Sequence, residues 1–168
     1  MKNSLALMNT VLKSLKNLEE QEQEVISWTK NKIPLCHRLA YYLEANANEG
    51  KCDLSPVFNN KVTADIQLYD KNNKPILLIF FKKRYFNLKE QKQLIALSKR
   101  NTTMLILGIT AYPKRNYFLL YRATKDKLEY YHFLRDKKEI VKLMDKNLKK
   151  EDPTPSLQFS KGRKRKNK

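Results

Sequence analysis

Leu5, Met8, Val11, Leu12, Leu15 and Leu18 recur at steps of three and four residues, with Lys13, Lys16 and Asn17 between them. That spacing predicts an amphipathic helix over 1–18. The run Glu19-Glu20-Gln21-Glu22-Gln23-Glu24 is too polar for burial, and Val25, Ile26 and Trp28 then restore an apolar patch. The stripe lasts only a few heptads, which favours packing on the rest of the chain, with pairing to a second copy or to another protein left open. Pro34 fixes the first turn of a second helix, whose inner face is Leu35, Leu39, Ala40, Tyr42 and Leu43 and which ends at Asn46 to Gly50.

Further along, the period changes. A short strand is expected at Cys52 to Val57, followed by strands at Val62 to Asp70 and Pro75 to Lys83 around a turn at Lys71-Asn72-Asn73-Lys74. Leu88 to Ser98 reads as a helix with Leu88, Gln91, Ile95 and Ala96 inward. Thr103 to Ile109 is continuously apolar, the mark of a central strand covered on both faces. Tyr117 to Ala123 and Leu128 to Leu134 form a hairpin around Thr124-Lys125-Asp126-Lys127, and Lys137 to Leu148 is expected to close the domain as a helix on Ile140, Val141, Met144 and Leu148. The division is then a helix over 1–30, an α/β core with hairpin extension and closing helix over 31–150, and a tail over 151–168. Pro153 and Pro155 open that tail, and its basic end, Lys161 to Lys168, is expected to be disordered when alone.

Charge changes the picture. A formal net charge of +18 on 168 residues implies an anionic partner, with DNA or RNA first and an acidic membrane surface or protein second. Three glycines leave no Walker A or dinucleotide loop. Cys36 and Cys52 are too isolated for a disulfide scaffold, and with His37 and His132 they make no zinc pattern, so a reducing compartment is expected. The histidines read as structural, since neither has a spacing that suggests a triad. No apolar run approaches the roughly 18 residues of a membrane span, and the first segment lacks a small-residue cleavage site.

The candidate chemistry lies in the two middle strands. Asp65 leads the first and Lys82 closes the second, two residues after Phe80. This layout, over roughly 35–110 and in the order helix, three strands, helix, strand, resembles the PD-(D/E)XK, restriction-endonuclease-like nuclease superfamily. The resemblance implies a mixed central sheet flanked by helices, two acids holding Mg²⁺, and a lysine that orients the attacking water. Here Asp65 matches the first acid and Lys82 the lysine, but Phe80 stands at the second acid, and Ala64 replaces the usual preceding proline. A ring cannot ligate Mg²⁺. Rescue would need a relocated acid, Glu44 on the preceding helix or Glu90 on the following one.

The expectation is a nucleic-acid-binding protein on a degenerate nuclease fold, with no catalysis and no cofactor. Lys82, Lys83, Arg84, Lys89, Lys92, Lys114 and Arg115 would meet phosphates, Tyr85 would stack on a base, and Arg163, Lys164, Arg165 and Lys166 in the tail would add salt-sensitive affinity. One alternative is a Mg²⁺-dependent endonuclease using Asp65, Lys82 and a relocated acid. Another is an assembly protein of a nucleoprotein complex, its 1–18 helix binding a protein partner. The expected location is the cytoplasm or nucleoid, and small lysine-rich relatives of this kind suit mobile genetic elements by analogy.

Overall fold

The computed structural model describes residues 2–27, 31–58, 62–111 and 115–143. Helices α1 (Lys2–Gln21), α2 (Gln23–Ser27) and α3 (Ile33–Asn46) precede strands β1 (Lys51–Leu54), β2 (Val57–Phe58), β3 (Val62–Thr63), β4 (Ile66–Tyr69) and β5 (Pro75–Lys82). Helix α4 (Leu88–Arg100) and strands β6 (Leu105–Ala111), β7 (Tyr117–Ala123), β8 (Leu128–Leu134) and β9 (Glu139–Leu143) follow. Among the described residues, the main sheet has seven strands in the order β1-β4-β5-β6-β7-β8-β9, and β2 and β3 pair apart from it. Only β5 and β6 in that sheet run parallel, with α4 as their crossover, so the chain is an α/β protein with a mixed sheet flanked by helices.

Two cores sandwich the sheet. Alternate residues Leu77, Ile79 and Phe81 of β5 join Leu105, Leu107 and Ile109 of β6 beneath α1 and α3, where Val11, Leu15, Leu18, Leu35, Leu39 and Leu43 are buried. Leu78 and Ile106 face the opposite way, toward Phe86 and toward Leu94 and Leu97 of α4. The stripe of α1 is therefore used inside the molecule, with Met8, Val11, Leu15 and Leu18 buried and Leu5 left outside. Gly108 lets α4 approach: a Cβ there would lie 3.0 Å from Leu94 Cδ1 and 3.1 Å from Phe86 Cζ.

Four expectations are corrected. Helix α4 is turned, so that Leu94, Leu97 and Ser98 are buried while Leu88 and Ala96 are exposed. Glu19 is buried too, because Arg135 Nε reaches it at 2.8 Å across 116 residues of sequence. The strand expected over Val62 to Asp70 is interrupted at Ala64-Asp65, between β3 and β4. The closing helix begins instead as β9: Lys138 takes φ 51°, which no right-handed helix accommodates, and Glu139 to Leu143 pair antiparallel with Leu134 to Tyr130. The remainder of that segment and the basic tail lie outside the described residues. No helix among the described residues is long and apolar enough to cross a membrane.

A side chain at Gly108 must displace α4 or the Phe86 ring. Gly108→Val is expected to lower unfolding stability by about 2 kcal/mol, the usual scale of overpacking, read as a reduced urea midpoint with an unchanged slope. An unaltered midpoint would mean that α4 does not rest on this glycine.

Candidate functional site

The polar cluster around Asp65 begins with a gap in the β-ladder. Asp65 N donates to Ile79 O at 2.9 Å, but the regular pairing of β4 with β5 ends at Ile66, opposite Ile79. The next inward-facing backbone donor on β5, Phe81 N, is taken by the side chain: it donates to Asp65 Oδ2 at 2.6 Å. Asp65 Oδ1 lies 2.6 Å from Lys32 Nζ, and that ammonium also donates to Phe81 O at 3.2 Å. Carboxylate, ammonium and the peptide groups of Phe81 thus form a closed circuit.

Cys36, one turn into α3, borders this circuit. Its thiol is pushed up to about 12, first by burial and then by Asp65, with Lys32 and Lys83 acting against the shift. Lys83 Nζ is shut off from solvent and has no hydrogen-bond partner among the described residues. Burial holds its ammonium below the usual lysine range, with Cys36 opposing. The residues of the β5 end that share Asp65's side are therefore Phe81 and Lys83.

Lys82 belongs to the other layer. Its Nζ lies 2.7 Å from Glu90 Oε1, and Arg84 Nη2 lies 2.6 Å from the same oxygen. Glu90 also closes a capping box at the start of α4, accepting from Asn87 N at 2.9 Å while Asn87 Oδ1 accepts from Glu90 N. The Arg84 hydrogen bond, the Lys82 ammonium and the Asn87 amide draw its carboxyl down to about 2, against a smaller opposing effect of burial. Phe80, Lys82, Phe86 and Glu90 line a cavity of about 190 Å³ beside α4. Period-two alternation does put Phe80 and Lys82 on one side, as the sequence implies, but Asp65 finds its partners on the other.

The candidate acids are therefore dispersed. Asp65 serves Lys32 and Phe81, Glu90 serves Lys82, Arg84 and the helix cap, and Glu44 Oε1 accepts from Cys52 N at 2.6 Å. A hard divalent ion needs about six oxygen ligands, several of them anionic. Around Asp65, among the described residues, stand its own carboxylate, the Phe81 carbonyl, one thiol and the ammonium groups of Lys32 and Lys83, a set with a single anionic oxygen group that does not fit Mg²⁺. No group of three or more His, Cys, Asp or Glu side chains able to hold a metal occurs among the described residues.

The residues expected to meet phosphate part company as well. Lys89 and Lys92 are exposed on α4, with Lys99 and Arg100 further along the same helix, and Arg115 is exposed at the start of the hairpin. Lys82 and Arg84 are engaged by Glu90, and Lys83 is turned inward. The Tyr85 ring packs against the core on the α4 side, its hydroxyl 3.1 Å from that of Tyr117. Lys114, Arg163, Lys164, Arg165 and Lys166 lie outside the described residues. Lys32 was not anticipated: only the packing of α3 on the sheet brings it to Asp65, 33 positions along the chain. No family model, curated protein or solved structure matches the chain.

Because the Glu90 carboxyl is held at about 2 against an ordinary 4.5, the stability it lends is complete above the ordinary value and lost as pH falls from 4.5 toward 2. Glu90→Gln keeps an oxygen for the cap and loses both ion pairs. It is expected to cost about 1 kcal/mol at neutral pH and to flatten the acid limb of stability against pH over that window. Thermal melts from pH 7 down to pH 2.5 check this, and parallel acid limbs for the two proteins would contradict it.

Proposed function

We propose that this chain is a nucleic-acid-binding protein built on a restriction-endonuclease-like core that does not cut. Leaving aside the separate β2-β3 pair, the main-sheet order α3, β1, β4, β5, α4, β6, with β1-β4 and β4-β5 antiparallel and β5-β6 parallel, supports the fold half of this reading. It is the helix, three strands, helix, strand order that the resemblance implies. The dispersal of Asp65, Glu44 and Glu90 among separate partners supports the non-catalytic half.

The observation that carries the reading is the outer face of α4. Lys89, Lys92, Lys99 and Arg100 are all exposed there, while the helix's single acid, Glu90, is turned to Lys82 and Arg84. From Lys89 to Arg100 the stripe runs about 16 Å at 1.5 Å per residue. A duplex offers roughly one phosphate per 3.4 Å of axis on each strand, enough to meet all four cations. Their contacts would be to backbone rather than to base edges, which supports binding of DNA or RNA without sequence preference.

The test is gel retardation of duplex and single-stranded DNA and of RNA in EDTA, at several salt concentrations. Replacing Lys89, Lys92, Lys99 and Arg100 together by Gln is expected to weaken binding about 100-fold and to flatten the salt dependence on duplex by about 3 to 4 in log–log slope. Asp65→Ala should bind as the parent does. Unchanged affinity in the fourfold variant would refute the α4 surface. Mg²⁺-dependent degradation abolished by Asp65→Ala would establish an enzyme instead.

A further inference from the structure

We propose that Lys32 is a resident cation: its ammonium takes the place beside Asp65 that a divalent ion would need, and it makes this site independent of metal. The inference rests on the degenerate-nuclease reading and goes beyond it by naming the residue that seals the site.

Three observations converge. Lys32 Nζ sits between two oxygens, Asp65 Oδ1 at 2.6 Å and Phe81 O at 3.2 Å, the contacts a small cation would make there. The second carboxylate oxygen is held by Phe81 N, so the pair is fixed to the backbone of β5, although the Lys32 side chain itself is 42% exposed. Lysine is also a poor residue for the position it occupies. It is the N-cap of α3 and its side chain makes no capping hydrogen bond; Asn31 Oδ1 accepts from Ile33 N instead. The N-terminal end of a helix repels positive charge and favours Ser, Thr, Asp or Asn at the cap. What compensates the ammonium is the carboxylate across the interface.

The surroundings oppose a second cation. Facing the circuit are Cys36 from α3 and Lys83 from the end of β5, one neutral thiol and one ammonium whose Nζ is shut off from solvent, and neither adds an anionic oxygen. With Lys32 present, the Asp65 carboxylate is already matched by one ammonium, and Lys83 adds further positive charge beside it. Without Lys32, Asp65 Oδ1 and the Phe81 carbonyl are left as free oxygen ligands, and a carboxylate at position 32 would supply the second anionic one.

The experiment compares parent, Lys32→Ala, Lys32→Glu and Lys32→Glu/Asp65→Asn in the full chain, using Mn²⁺ as the probe. Binding is read by electron paramagnetic resonance of free Mn²⁺ and by the shift in melting temperature. Lys32→Glu is expected to bind Mn²⁺ at least about tenfold more tightly than the parent, and the double variant to lose that gain. Lys32→Ala should melt lower than the parent and recover partly with Mn²⁺. Tight Asp65-dependent Mn²⁺ binding by the parent would overturn the proposal, as would Lys32 variants that fold yet gain no response to Mn²⁺. Should Lys32→Glu fail to fold, the Mn²⁺ response of Lys32→Ala decides alone. Gel retardation of the same proteins in EDTA separates the two ideas, since nucleic-acid binding through α4 should survive every change at Lys32.

Discussion

Alternation along β5 governs what every polar group near its end can do. Successive side chains leave a strand on opposite faces, and β5 is buried under α1 and α3 on one side and α4 on the other. Lys82 and Lys83, adjacent in sequence, are consequently delivered to different layers. One meets Glu90 at the head of α4, and the other is enclosed near Cys36 of α3. Asp65 sits on the second of these sides because its carboxylate completes the ladder at Phe81 N where β4 stops. A metal centre needs its acids to converge, and the strand pleat keeps these apart.

The two sides have accordingly different characters. On the α3 side, Asp65 is paired with Lys32, a contact anchored to the N–H and the carbonyl of Phe81. On the α4 side, Glu90 gathers Lys82 and Arg84 at the helix N-terminus, where negative charge is favoured. Glu90 is the single acid of α4, and with it engaged at the helix head, Lys89, Lys92, Lys99 and Arg100 face solvent. The proposal that nucleic acid lies along α4 draws on this division: four exposed cations share one face of the helix, and the charge at Asp65 is met by Lys32.

Much of the fold was legible because it is written in local pattern. The 3.6-residue stripe of α1, the Pro34 start of α3, the unbroken apolar run of β6 and the hairpin turn at Thr124 to Lys127 each need only neighbouring residues to specify them. What was illegible depends on distant partners. Ile140 and Val141 fit a helical period as well as a strand, and only pairing with β8 and the turn at Lys138 decide for β9. Glu19 looks like a solvated charge until Arg135 meets it. Lys32 is an unfavourable N-cap for α3, but what it pairs with is visible only once the helix is laid on the sheet. The Asp65 and Lys82 strands were recognisable, but which lysine shares the side of Asp65 turns on where β4 ends, a backbone detail with no sequence mark.

Lysine footprinting of the complex in EDTA tests the central claim most directly, because it reports which layer the nucleic acid covers. Acetylation of Lys89, Lys92 and Lys99 should fall when DNA or RNA is bound, while Lys13 and Lys16, exposed on α1 across the sheet, keep their reactivity. Protection confined to Lys13 and Lys16, with the α4 lysines as reactive as in the free protein, would contradict the account.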